Sequence, residues 1–142
     1  MKLSVIIPFY NELNLINRAV NSVLINSTFF DQVEIILIND GSFEESKIQS
    51  CFKNNLNELI KIISNKYEKG PGGARNTGLD ISKGDIIAFL DADDFWLPGK
   101  LKVQMREIKK GATFVATSYR FDKSKTIINP PSSIDIPIDI FL

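Results

Sequence analysis

Residues 3–8 read Leu3-Ser-Val-Ile-Ile-Pro8, and this apolar run decides the fold class of the 142-residue chain. A strand with one face in water alternates apolar and polar side chains, whereas a strand covered on both faces is apolar throughout. Comparable runs at residues 33–39, 59–64 and 86–91 are separated by segments in which apolar residues recur at helical spacing. This alternation predicts an α/β domain whose mainly parallel sheet is flanked by helices.

The helical segments are predicted around residues 16–24, 48–56, 75–81 and 97–108, and a fifth strand is predicted at residues 113–121. The Gly-rich stretch before residue 75 and the Lys83-Gly84 pair punctuate the third helix. The pattern therefore predicts strand–helix units that follow one another along the chain. Their sequences do not repeat.

The sequence changes character at residue 122, where a polar, Lys-rich stretch leads into Pro130-Pro131. The chain then carries scattered apolar residues and closes on Ile140-Phe141-Leu142. We expect residues 1–121 to form one domain and residues 122–142 to be a linker into a further half. On this view the chain is cut short, and its apolar tail favours self-association through the truncated edge.

Composition excludes several function classes. Lys plus Arg and Asp plus Glu balance at 17 each, so there is no basic excess for binding nucleic acid. Cys51 is the only cysteine, and the apolar N-terminal run is too short for a signal peptide or a membrane span. We expect a cytoplasmic protein, with peripheral contact at the inner face of the membrane left open.

Polar residues follow three of the predicted strands at the point where each ends. They are Tyr10-Asn11-Glu12, Asn39-Asp40-Gly41-Ser42 and Asp91-Ala92-Asp93-Asp94. Ligands of open α/β sheets bind outside the carboxyl ends of the strands. The sequence therefore predicts that these three segments share one site.

The acidic cluster has two interpretations. Asp91, Asp93 and Asp94 repel one another unless a cation neutralises them, and oxygen ligands without His or Cys suit Mg²⁺ or Mn²⁺. The same residues could instead precede a helix N-terminus, where negative charge is favourable. Both remain open at this point.

Other residues near these segments also allow two readings. Tyr10 offers an aromatic face to a flat base or packs as an ordinary side chain. Arg75, predicted in the first turn of a helix, requires an anionic partner, either an Asp or a phosphate. The loop at residues 70–73 matches neither a dinucleotide-binding nor a Walker A sequence, which disfavours dehydrogenases and P-loop NTPases.

Taken in order, four segments resemble the successive blocks of family 2 glycosyltransferases, which have the GT-A fold. They are SVIIPFYNE at residues 4–12, ILINDGS at 36–42, GARNTG at 73–78 and FLDADD at 89–94. The resemblance runs from Leu3 to about Tyr119. It implies that residues 1–121 bind a nucleotide sugar.

The resemblance also implies roles at matching positions. The segment Pro8 to Tyr10 and Asp40 would hold the nucleobase, with Tyr10 stacking and Asp40 accepting from the imide N–H; Glu12 is a weaker candidate. Arg75 would lie near the base or the phosphates. In the acidic block, Asp91 would reach the ribose beside Ala92. Asp93 would bind Mn²⁺ or Mg²⁺, with Asp91 and Asp94 as additional candidate ligands.

The implied reaction is inverting sugar transfer from a nucleotide sugar, with a UDP-sugar as first choice, to a saccharide or lipid-linked saccharide acceptor in bacterial surface polysaccharide synthesis. The metal would stabilise charge on the leaving diphosphate. The carboxylate base of such enzymes lies in the half after the fifth strand, and no catalytic residue is assigned here. We therefore expect this truncated chain to be inactive in transfer.

Two alternatives remain. Phosphoryl-transfer α/β domains also gather Asp at strand ends. Haloacid-dehalogenase-like phosphatases carry D-x-D after the first strand, and receiver domains carry an acidic pair after the first strand. In this sequence Pro8-Phe9-Tyr10 stands at that position instead. A non-catalytic nucleotide-binding module would share every motif. Turnover assays on a longer chain would separate it from an enzyme.

Overall fold

The structure, a computed structural model, describes residues 1–41, 43–52, 58–121 and 126–129, without the side chain of Glu45. The chain forms two compact units, Met1–Pro98 and Gly99–Leu142. Ser42, the end of the second predicted helix, and most of the predicted linker and apolar tail lie outside the described residues.

The first unit alternates strands and helices, as predicted. Its second helix is short, and its fourth strand ends two residues before Asp91. In chain order the elements are β1 (Lys2–Phe9), α1 (Ile16–Asn26), β2 (Gln32–Asn39), α2 (Glu45–Gln49), β3 (Ile60–Ser64), α3 (Pro71–Ile81) and β4 (Ile86–Phe89). The predicted α/β class is confirmed.

The four strands form one sheet in the order β3-β2-β1-β4, and every neighbouring pair is parallel. The chain moves outward from β1 to β3 and then returns to the opposite side of β1. The strand order therefore reverses between β1 and β4, which is where open α/β sheets bind ligands.

The core of this unit surrounds the central strands. Residues 3–9 of β1 are all buried, so both faces of the strand are covered, as its apolar run predicts. Ile6, Ile36 and Ile38 pack with Ala74 of α3. Helix α3 lies close to β1, because a Cβ on Gly78 would come within 2.4 Å of the Ile6 side chain. This close packing fixes α3, and with it the loop that precedes the helix.

A buried carboxylate ties the strands together near their amino ends. Glu34 of β2 is 4% exposed and accepts hydrogen bonds from Ser4 Oγ (2.5 Å), Lys61 Nζ (2.7 Å) and the Lys83 amide (2.7 Å). Burial opposes its ionisation, but these hydrogen bonds outweigh that cost and lower the pKa of Glu34 to about 2. Glu34 thus joins β1, β2, β3 and the loop before β4.

The second unit contains one helix, α4 (Lys100–Lys109), within its described residues. The predicted start near Leu97 is wrong: Leu97 is 57% exposed and precedes Pro98, and Gly99 has φ 86°. Proline disfavours a helical residue before it, and the left-handed Gly99 separates Leu97 from the helix.

The predicted fifth strand at residues 113–121 is also wrong. This segment makes an isolated antiparallel bridge between Tyr119 and Ile128, and the large side chains of Phe114 and Phe121 are exposed. A segment rich in strand-forming residues such as Thr, Val, Phe and Tyr forms a strand when a neighbour pairs with it. Among the described residues the segment has only this bridge. No helix in the described part of the chain is long and apolar enough to cross a membrane.

Candidate functional site

A cleft of ≈280 Å³ opens at the carboxyl end of the sheet in the first unit. Three strand ends and the start of α3 surround it, on either side of the point where the strand order reverses. Its lining includes every residue that the sequence predicts to bind a nucleotide sugar: Pro8, Tyr10, Glu12, Asp40, Arg75, Asp91, Ala92 and Asp93. The structure brings these residues together, and their binding roles stay predictions.

The loop after β1 presents an aromatic ring. Tyr10 is 47% exposed, and the amides of Tyr10 and Asn11 both donate to Glu12 Oε2, at 2.8 and 3.0 Å. The Glu12 carbonyl accepts from Leu15 N at 2.8 Å, in the turn before α1. Glu12 therefore organises the backbone that carries Tyr10. This structural role is enough to explain an acidic side chain at this position, without a contact to a ligand.

Asp40 follows β2 and is held by two neutral donors. Asn65 Nδ2 donates to its Oδ1 at 2.6 Å, and the Gly70 amide donates to its Oδ2 at 2.8 Å. No Lys or Arg among the described residues forms an ion pair with Asp40. A carboxylate has about four lone-pair sites, so Asp40 keeps acceptor capacity for a ligand.

Arg75 pairs with Asp91 across the cleft, with 2.5 Å from its Nη2 to Asp91 Oδ1. Because α3 begins at Pro71, Arg75 lies in the second turn rather than in the predicted first turn. Asp91 is therefore the anionic partner that the sequence predicts for Arg75. Arg75 is 33% and Asp91 49% exposed in their side chains, so both remain accessible to a ligand.

Two residues of α1 hold the loop after β4, and no sequence motif points to either. Arg18 donates to the Asp93 carbonyl and lies 4.8 Å from the ring centroid of Phe95. Ser22 Oγ accepts from the Trp96 amide at 3.0 Å. A serine inside the buried stripe of α1 was an available signal, because a buried hydroxyl requires a partner.

The acidic loop keeps its carboxylates close to one another. Burial, followed by the charges of Asp93 and Asp91, raises the pKa of Asp94, while Arg18 acts in the opposite direction. Asp94 does not line the cleft. Within the described ranges, no group of three or more His, Cys, Asp or Glu residues is arranged to hold a metal.

The donor set fits one particular mode of metal binding. A cage built from protein ligands alone needs several converging carboxylates, which the described part of the chain does not supply. Mg²⁺ and similar ions commonly take one or two carboxylates, several waters and substrate phosphates. Asp93, exposed at the cleft, with Asp91 beside it, fits that mode.

Comparisons with known proteins agree with this fold. Residues 4–140 match the family described as Glycosyl transferase family 2, and the chain belongs to that family. The crystal structure of TarS 1-349 from S. aureus in complex with UDP-GlcNAc superposes with a TM-score of 0.62 at 30% identity, covering 78% of this chain and 32% of that one. The architecture is the GT-A fold of these enzymes.

Two curated relatives are named as glucosyltransferases that act on undecaprenol-linked saccharides. The Escherichia coli UDP-Glc:alpha-D-GlcNAc-diphosphoundecaprenol beta-1,3-glucosyltransferase WfgD is 32% identical over 88% of this chain and 48% of its own length. The Campylobacter jejuni GalNAc(5)-diNAcBac-PP-undecaprenol beta-1,3-glucosyltransferase is 36% identical over 80% of this chain and 37% of its own length. The chain thus spans less than half the length of each.

Proposed function

We propose that the protein takes part in transferring a sugar from a UDP-sugar to a lipid-linked saccharide in bacterial polysaccharide synthesis, and that the described chain binds the donor. The observation that carries this proposal is the cleft at the point where the strand order reverses, lined by Tyr10, Asp40, Arg75 and Asp93. Membership of the family and the names of the two relatives support the reaction class.

Each cleft residue has a physical role in this proposal. The exposed Tyr10 ring stacks on the base, and Asp40 accepts a hydrogen bond from the base N–H. Asp91 accepts from the ribose hydroxyls beside Ala92. Arg75, released from part of its contact with Asp91, neutralises phosphate charge.

Asp93 would hold the Mn²⁺ or Mg²⁺ ion, with Asp91 or Asp94 ligating it or orienting its waters. When bound, the ion acts as a Lewis acid that stabilises charge on the departing diphosphate. The protein's own contribution is to fix the loop that carries Asp93. Arg18 donates to the Asp93 carbonyl, and Ser22 Oγ accepts from the Trp96 amide. Transfer is by in-line displacement with inversion, and we assign no base among residues 1–142.

Titration calorimetry of UDP with and without Mn²⁺ tests the metal role. Asp93→Ala should remove most of the metal-dependent gain in UDP affinity and leave the melting temperature within about 1 °C, because Asp93 is exposed. The matched control is Glu58→Ala, an exposed carboxylate just before β3 at the opposite end of the strands. Equal UDP affinity of the unsubstituted chain with and without metal would refute the assignment.

A non-catalytic nucleotide-binding module is the remaining candidate, because the cleft would look the same. Family membership favours an enzyme. An assay of the complete protein with a UDP-sugar and undecaprenyl-diphosphate-linked acceptors decides between the two. Acceptor-dependent release of UDP supports transfer, and tight UDP binding without any release supports the binding module.

A further inference from the structure

A chain of hydrogen bonds connects Asp40 to the interior of the first unit through two residues to which the sequence motifs assign no role. Asn65 lies just after β3, and Thr77 lies in the middle of α3. Thr77 Oγ1 donates to Asn65 Oδ1 at 2.8 Å, and Asn65 Nδ2 donates to Asp40 Oδ1 at 2.6 Å. The fully buried Thr77 cannot itself contact a ligand.

The neighbours of this chain fix the direction of every bond in it. The amides of Tyr67 and Lys66 can only donate; the first donates to Asn65 Oδ1 (3.0 Å) and the second to Thr77 Oγ1 (3.0 Å). Asn65 must therefore present its NH₂ group to the acceptor-only Asp40, and the Thr77 hydroxyl must donate to Asn65. Flipping the Asn65 amide would set donor against donor at Tyr67.

The second proton of Asn65 Nδ2 is directed at the Glu68 carbonyl, at 3.1 Å. With four partners, the Asn65 side chain has no alternative orientation to adopt. The Gly70 amide holds the other oxygen of Asp40 at 2.8 Å. Asp40 is thus clamped on both oxygens, and the free lone pairs that remain point in set directions.

We infer that Asn65 and Thr77 are positioning residues that determine nucleobase selectivity by locking the carboxylate of Asp40. This inference rests on the proposed function, in which Asp40 receives the base. Uracil presents an N–H at position 3 and donates to a carboxylate. Cytosine has an unprotonated nitrogen there, whose lone pair repels a fixed carboxylate.

A locked carboxylate discriminates between these bases better than a mobile one. A free Asp40 could rotate away from cytosine or accept from its amino group, whereas the clamp prevents that adjustment. A site built to hydrogen-bond one substrate group rejects an analogue that lacks it, provided that the site's polar groups cannot find other partners. Selectivity then depends on residues that never touch the nucleotide.

The test measures affinity for UDP and CDP, in the presence of Mn²⁺, for the chain and its variants. Thr77→Val removes the hydroxyl while keeping a similar shape. We expect about 10-fold weaker UDP binding with little change for CDP. The ratio of UDP affinity to CDP affinity, here called the UDP-over-CDP margin, then falls by the same factor. Thr77→Ser restores the hydroxyl and should return the margin to within about 3-fold of the original.

Ser4→Ala is the matched control. Like Thr77, Ser4 is fully buried and accepts from a backbone amide, Gly84 N at 2.8 Å. Its hydroxyl donates to a carboxylate, and it lies at the amino end of the sheet. It should lower the melting temperature about as much as Thr77→Val and leave the margin unchanged. Asn65→Ala, at a half-buried loop position, provides the same test if Thr77→Val does not fold.

The outcomes separate the two levels of the proposal. An unsubstituted chain that binds UDP and CDP equally, or neither, overturns the proposed base site and this inference with it. A chain that prefers UDP, with variants Thr77→Val and Asn65→Ala that keep the full margin, overturns the inference alone. A lost margin that Thr77→Ser restores, with Ser4→Ala unaffected, supports both.

Discussion

Strand β2 carries one carboxylate near its amino end, and another follows directly after its carboxyl end; their surroundings differ. Glu34 is buried and accepts from the ammonium group of Lys61, from Ser4 and from the Lys83 amide. Asp40 borders an open cleft and accepts from the neutral donors of Asn65 and Gly70. The amino end neutralises its carboxylate with a cation, and the carboxyl end leaves its carboxylate charge available.

Under the proposed function, this difference separates stability from binding within one sheet. A buried charge with its partners in place stabilises the fold mainly because removing one partner leaves the other uncompensated. A carboxylate oriented by dipoles alone retains its negative charge and its free lone pairs for a ligand. We therefore expect substitutions at the two ends to affect different measurements.

The largest effect is expected for Glu34→Gln. The amide cannot accept from all three donors, and it leaves Lys61 without its counter-charge. The free energy of unfolding should fall by about 3 kcal/mol in urea denaturation, while UDP affinity stays within about 2-fold. A variant as stable as the original chain, or one that loses UDP binding while folded, would contradict this assignment of Glu34 to stability.

Acid titration tests the same carboxylate without a substitution. The pKa of Glu34 in the folded chain is lowered from 4.5 to about 2, so its stabilisation is complete above about pH 5 and is lost as the pH falls through 2. The unfolding free energy of the chain, measured relative to Glu34→Gln, should decrease by about 3 kcal/mol across that window. A difference between the two proteins that does not change from pH 5 to pH 2 would contradict the assignment.

Asp40→Asn should show the reverse pattern. The neutral amide weakens the hydrogen bond to the base, so UDP affinity should fall by about 10- to 100-fold in calorimetry. Stability should fall by only about 1 kcal/mol, since one NH₂ group then faces Asn65 or Gly70. Asp80→Asn, on the exposed side of α3, is the control and should change neither quantity appreciably.

Ser22→Ala measures how much the uncharged hydrogen bond between Ser22 and the loop after β4 contributes to stability. Its hydroxyl donates to the Ala19 carbonyl at 2.7 Å and accepts from the buried Trp96 amide, so its loss should cost about 1 kcal/mol. Ser50→Ala is matched, because Ser50 makes the same local bond to Lys47 at 2.7 Å but is exposed. Thermal melts in which both variants shift equally would show that the Trp96 contact contributes nothing.

The sequence predicted the parts of the fold that local patterns encode. The apolar run of β1 and the spacing of the helical stripes indicated the α/β class, and the polar residues after β1, β2 and β4 indicated the cleft. The fifth strand was wrong because the strand-forming residues at 113–121 need a neighbouring strand to pair with, and that neighbour depends on the rest of the fold. Element ends moved where Pro98 and Gly99 intervened.

The partners of the residues that support the site could not be read from local patterns. Arg18 and Ser22 reach partners about 75 residues later in the chain, and Glu34 reaches Ser4 and Lys83 in opposite directions. The motifs assign no role to Asn65 or Thr77, and only the packing of α3 beside the end of β3 links them to Asp40. Such contacts depend on which strands lie side by side, which sequence spacing does not specify.

We propose that the carboxyl end of the sheet binds the nucleotide while the amino end stabilises the fold. A crystal structure with UDP and Mn²⁺ would locate the nucleotide. We predict the uracil ring beside Tyr10, with its N3 about 2.8 Å from an Asp40 oxygen, and the diphosphate between Arg75 and Asp93. A nucleotide bound away from the cleft, or in the cleft with no contact between the base and Asp40, would contradict the account.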